Sequence, residues 1–68
     1  MNKIKIIRNK LGLSVYKIAE LTGLTPSYIS NLENGYKTNP TKDVMDKIAT
    51  ALGQTVQEIF YPKDEKEA

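Results

Sequence analysis

Apolar residues recur along this chain at helical spacing, and turn formers break the pattern four times. Ile4, Ile7 and Leu11 share one stripe and predict a first helix from about Asn2 to Leu11, which Gly12 ends. Ser14 is placed to cap a second helix, whose apolar face is Val15, Ile18, Ala19 and Thr22 with Leu21 at its edge. Ala19 is small enough to let a crossing helix approach closely there. Gly23 supplies a turn, after which Thr25 caps and Pro26 opens a third helix to about Asn34. Gly35 ends it, because glycine enters the left-handed region without steric penalty.

Residues 35–40 are rich in turn formers and predict a loop. Thr41 caps a fourth helix over Lys42–Leu52, with Asp43 favourably placed in its first turn. Its apolar face is Val44, Met45, Ile48, Ala49 and Leu52, and Gly53 stops it. Thr55 and Glu58 match a capping box, in which each side chain satisfies the other residue's backbone N–H. A short fifth helix follows, to about Phe60. Every strong local signal is helical and every connection short, so the expected architecture is all-α, a five-helix single domain over residues 1–62. Residues 63–68 read as a charged, disordered tail.

The third helix carries an unusual polar pattern. With about 100° per residue, Ile29, Leu32 and Glu33 fall on one side. Ser27, Asn31 and Asn34 fall opposite, flanked by Tyr28 and Ser30. This outward stripe is uncharged but rich in hydrogen-bonding groups, whereas a merely solvated face more commonly carries Lys and Glu. Two short helices joined by a tight turn form a helix-turn-helix, and in DNA-binding versions the second helix enters the major groove.

Charge sharpens this picture. The net charge is only +2, yet residues 1–42 hold seven basic side chains against two acidic ones, and residues 43–68 hold three against six. A basic front and an acidic back suit a surface that meets a polyanion on one side. Scattered solubilising charge gives the same count, and Lys3, Lys5 and Lys10 read best as a solvated helix face. The chain contains no cysteine or histidine, so disulfides and thiolate or imidazole metal sites are excluded and no metal or cofactor is expected. A catalytic histidine or cysteine and a glycine-rich phosphate loop are likewise missing, which argues against an enzyme. No apolar run approaches the roughly 18 residues needed to span a bilayer, and lysines interrupt any apolar signal core at the start. A cytoplasmic protein without membrane association is expected.

The chain resembles the lambda-repressor/Cro-like helix-turn-helix domains of phage repressors and bacterial Xre-type regulators, and within them the SinR-like repressors. The resemblance runs from about Ile4 to Phe60. It is carried by Arg8, Leu13-Ser14, Ile18-Ala19, Gly23, Ser27-Tyr28-Ile29-Ser30, Leu32-Glu33-Asn34-Gly35, Asn39-Pro40-Thr41, Ile48-Ala49 and Ala51-Leu52-Gly53. It implies a lambda-repressor-like DNA-binding domain with the helix-turn-helix at helices 2 and 3. It also implies an inward ion pair between Arg8 and Glu33, with Pro26, Ser27 and Asn31 facing base edges. Tyr28, Asn34 and the loop around Lys37 and Thr38 then touch phosphates, with Tyr16, Lys17 and Thr25 as further phosphate candidates.

Two residues depart from the family pattern. Val15 stands where many members place a phosphate-binding glutamine, and Pro26 replaces a polar base reader. Tyr16 and Lys17 are candidates to take over the anchoring, and base reading then leans on Ser27 and Asn31. Tyr28 can alternatively pack against helix 2. Phe60 and Tyr61 can close the core or, with Gln57, form a dimer interface; Phe60 suits the core better and Tyr61 the interface. The expected function is sequence-specific binding of double-stranded DNA by a homodimeric regulator, a repressor on a palindromic operator, with no small-molecule effector. The alternative is an antitoxin or co-regulator that works mainly through protein contacts.

Overall fold

The computed structural model describes residues 2–62; the expected tail at 63–68 lies outside the described residues. The chain forms α1 (Ile4–Lys10), α2 (Val15–Thr22), α3 (Pro26–Glu33), α4 (Lys42–Leu52) and α5 (Val56–Phe60), with no strand among the described residues. Helix α2 packs against both α3 and α4, and α4 packs against α5. Ile4, Ile18, Ile29, Leu32, Ile48 and Ile59 are fully buried, so all five helices contribute a branched apolar side chain to one core. Each such side chain gains about 1.5–3 kcal/mol on leaving water. Ala19 and Ala49 are buried in the same core.

Local chemistry sets the helix starts. The hydroxyls of Ser14, Thr25, Thr41 and Thr55 each accept the backbone N–H three residues on, so four of the five helices begin on a side-chain cap. At α5 the box is reciprocal: Thr55 N–H also donates to Glu58 Oε1 at 2.9 Å. Gly23 closes α2 at φ +78°, and a Cβ there would meet nothing within 4 Å. Backbone conformation, not crowding, therefore calls for glycine at the turn between α2 and α3.

Helix α1 is shorter than the sequence pattern suggests. It starts at Ile4 because the Asn2 side chain lies outside it and accepts the Ile4 N–H through Oδ1 at 3.1 Å. It ends at Lys10, and Leu11 is 51% exposed instead of lying on the buried stripe. Leu11 occupies the C-cap, where the chain is already turning through Gly12, and Leu13 packs against the core in its place. Helix α3 stops at Glu33, with Asn34 as its C-cap. Val44 and Met45 on α4 are half-buried at the margin of the core.

Candidate nucleic-acid interface

Helix α3 is divided lengthwise. Ile29 and Leu32 point into the core, together with the buried carboxylate of Glu33. Arg8 on α1 meets that carboxylate with both edges of its fork: Nε donates to Oε2 at 2.6 Å and Nη2 to Oε1 at 3.1 Å. Its Nη1 donates to the carbonyl of Leu13 at 3.0 Å, which ties down the α1–α2 turn. A carboxylate on the apolar side of a helix is tolerable only when it is paired in this way. The pair thus fixes which side of α3 faces out.

On the outer side, Ser27 and Asn34 are exposed, and Asn31 and Ser30 are half-buried. Neither Ser27 nor Asn31 makes a side-chain hydrogen bond among the described residues, while Asn34 Nδ2 donates weakly to Ser30 Oγ at 3.4 Å. Thr25 is committed to α3 itself, its Oγ1 accepting the Tyr28 N–H at 3.1 Å. Pro26 takes the first helical turn and is half-buried. Tyr28 is half-buried against the core, and its ring carries the Lys37 ammonium 5.8 Å from its centroid. The packing and outward readings of Tyr28 are therefore compatible: its inner edge packs and its face holds a cation beside α3.

The loop after α3 is folded back onto that helix. Gly35 adopts φ +79°, and the N–H groups of Tyr36 and Lys37 both donate to the carbonyl of Asn31, at 2.9 and 3.2 Å. This brings Lys37 and Thr38 to a cleft at the end of α3 that Asn34 also lines. At the opposite end of α3, the first turns of α2 and α3 meet around a second cleft lined by Val15, Tyr16, Pro26, Ser27 and Ser30. Tyr16 is 75% exposed there. Lys17 is placed differently from a free anchor, because its ammonium pairs with Glu20 one turn on, at 2.9 Å. The contact with Lys17 holds the Glu20 carboxyl below its ordinary pKa. Exposed pairs of this kind are weak and screened by solvent, so Lys17 can exchange its partner for a phosphate.

Asp43 and Asp46 on α4 pair with Lys47 and Lys42 of the same helix. Gln57, Phe60 and Tyr61 cluster at the end of α5. Phe60 packs against the core, Tyr61 is exposed, and Gln57 Nε2 donates to the Tyr61 carbonyl at 2.7 Å.

Sequence reasoning missed two residues. Asn2 reads as part of helix 1, yet its Nδ2 donates to the carbonyl of Leu32 at 2.8 Å and so satisfies the last turn of α3 from 30 residues away. An asparagine just ahead of an apolar run is a cap signal, but nothing local reveals its second bond. Tyr36 sits beside Lys37 in the loop and is 79% exposed, a large aromatic left in solvent next to the outward stripe.

A grooved pair of short helices, the second one held by its inner face and bare on its outer face, defines the helix-turn-helix class. The chain belongs to the helix-turn-helix family, whose pattern matches residues 4–59. In sequence it is 34% identical over 65 residues to the HTH-type transcriptional regulator SinR of Bacillus licheniformis, covering 96% of this chain and 59% of that protein. The chain thus spans about three-fifths of the length of this curated relative. In structure it is similar to the N-terminal DNA binding domain of SinR from Bacillus subtilis, with a TM-score of 0.78 and 32% identity over 97% of this chain and 91% of that one. It is also similar to the restriction-modification controller protein C.AhdI from Aeromonas hydrophila, with a TM-score of 0.77 and 34% identity, over 82% and 83% of the two chains. The fold is lambda-repressor-like and the domain SinR-like, of a regulatory and not an enzymatic family. No helix among the described residues is long and apolar enough to cross a membrane.

Proposed function

We propose that this chain is the sequence-specific, duplex-DNA-binding part of a transcriptional repressor that acts as a homodimer on a palindromic operator. One observation carries the reading: α3 keeps its charge and apolar bulk inside and turns Ser27, Asn31 and Asn34 outward, with Ser27 and Asn31 uncommitted to other side chains. Asparagine pairs bidentately with adenine N6 and N7 in the major groove, and serine serves either base or backbone. Ser27 and Asn31, beside Pro26, therefore read bases. Tyr16, Lys17, Thr25, Tyr28, Asn34, Lys37 and Thr38 frame that stripe on both sides and hold phosphates. They supply affinity and register without sequence information.

Gln57, Phe60 and Tyr61 form the dimer contact in this reading. The exposed Tyr61 is its aromatic anchor, and two copies place their α3 helices in successive major grooves about 34 Å apart. Residues 1–62 form the working domain, and 63–68 lie beyond it. Names of the relatives support regulation of transcription, and the fold of the SinR DNA binding domain supports the target.

Selection of bound sequences from random duplex DNA tests the proposal. The expected product is an inverted repeat whose half-site centres lie about one helical turn apart, bound with an affinity that falls steeply as salt rises. Recovery of no preferred sequence overturns it and favours the reading in which the chain acts through protein contacts.

A further inference from the structure

The cleft between the first turns of α2 and α3 has a composition the DNA-reading stripe does not explain. Its floor is apolar: Val15 and the Pro26 ring are both half-buried, and the ring of Tyr16 stands 75% exposed at its edge. Its rim is hydroxylic, formed by Ser27 and Ser30 on the outward side of α3. No charged side chain lines it.

Resting on the DNA-binding reading above, we infer that this cleft is a receptor for the 5-methyl group of thymine, so that Val15 and Pro26 are specificity-determining residues, with Tyr16 left at the edge to its phosphate. In the major groove only thymine presents a methyl group, and apolar side chains discriminate by contact with it. Ser27 and Ser30 border the cleft on the side of the base-reading stripe, so a base edge lying against α3 reaches them with its polar atoms as its methyl enters the notch. A polar residue at position 15 or 26 would hold water or a phosphate here; valine and proline can offer only apolar contact. The selected site therefore contains a thymine in each half-site at the position facing the start of α3, close to the base read by Asn31.

Deoxyuridine tests this directly, because it lacks the methyl and keeps every hydrogen-bonding group of thymine. A site is first obtained by selection with the unaltered protein, and each thymine is then replaced singly by deoxyuridine. One replacement per half-site is expected to weaken binding about fourfold, the effect of exposing one buried methyl-sized group. The same replacement should matter little to Val15→Ala, in which the floor of the cleft is removed. Circular dichroism checks that this variant folds, and the result with the unaltered protein stands without it. Sequence-specific binding that is indifferent to every deoxyuridine overturns the receptor while leaving the DNA-binding reading intact. Failure to select any site overturns both.

Discussion

The two faces of α3 differ less in polarity than in whether their polar groups are already engaged. The inner face carries a full charge at Glu33, and that charge is met by Arg8 at 2.6 and 3.1 Å. The outer face carries only amides and hydroxyls, and at Ser27 and Asn31 these make no side-chain hydrogen bond among the described residues. The inner face thus has strong interactions that are complete, and the outer face has weaker ones that are open. Folding depends on the first, and the proposed recognition on the second. A substitution on one face should therefore leave the property of the other largely untouched.

The largest expected effect comes from breaking the inner face. Glu33→Ala strands the Arg8 guanidinium, whose side chain is only 12% exposed, and should cost about 3–5 kcal/mol of stability in chemical denaturation. A loss below about 1 kcal/mol would mean that the pair is a surface contact in practice. Asn31→Ala on the outer face should weaken binding to the preferred site by about 1–3 kcal/mol and relax preference at one or two base pairs. Its unfolding free energy should move by no more than about 0.5 kcal/mol. If Asn31→Ala instead destabilises the fold and spares specificity, the division of α3 is wrong.

Smaller effects separate the two lysines that flank the helix. Lys37→Ala should weaken all sequences alike and reduce the slope of log affinity against log salt by about 1. Lys17→Ala should reduce it less, because Lys17 must first leave Glu20. A larger change for Lys17 would place the main phosphate anchor on α2. The smallest effect belongs to the far end of the molecule. The backbone N–H of Thr55, and then its hydroxyl, hold the Glu58 carboxyl below its ordinary pKa. Ionised Glu58 thus favours the fold: its contribution is complete above the ordinary glutamate range and is lost as pH falls through the lowered folded value. Glu58→Gln should flatten the acid limb of the stability profile slightly and leave DNA binding at neutral pH unchanged.

What the sequence revealed about this fold was local. Ser14, Thr25, Thr41 and Thr55 announce their helices because a cap is a contact between residues three apart. The division of α3 was legible because helical periodicity alone places Glu33 among apolar neighbours. Leu11 misled because periodicity continues one residue past the last helical turn, where Leu13 takes over the core. The cleft under Tyr16 was out of reach for a different reason. Val15 and Pro26 stand on different helices in the sequence, and only the packing of α2 on α3 brings them to one place. Asn2 was out of reach for the same reason, its partner lying at Leu32.

That asparagine has a neighbour with a matching task. The N–H of Lys3 donates to the carbonyl of Ile59 at 2.8 Å, while Asn2 reaches Leu32. Two consecutive residues therefore stitch the opening of the chain to the closing turns of both α3 and α5. Peeling α1 away from the body breaks both stitches. Amide exchange measured at the foot of α1 and at α5 should then rise and fall in step, as if these distant stretches were one seam.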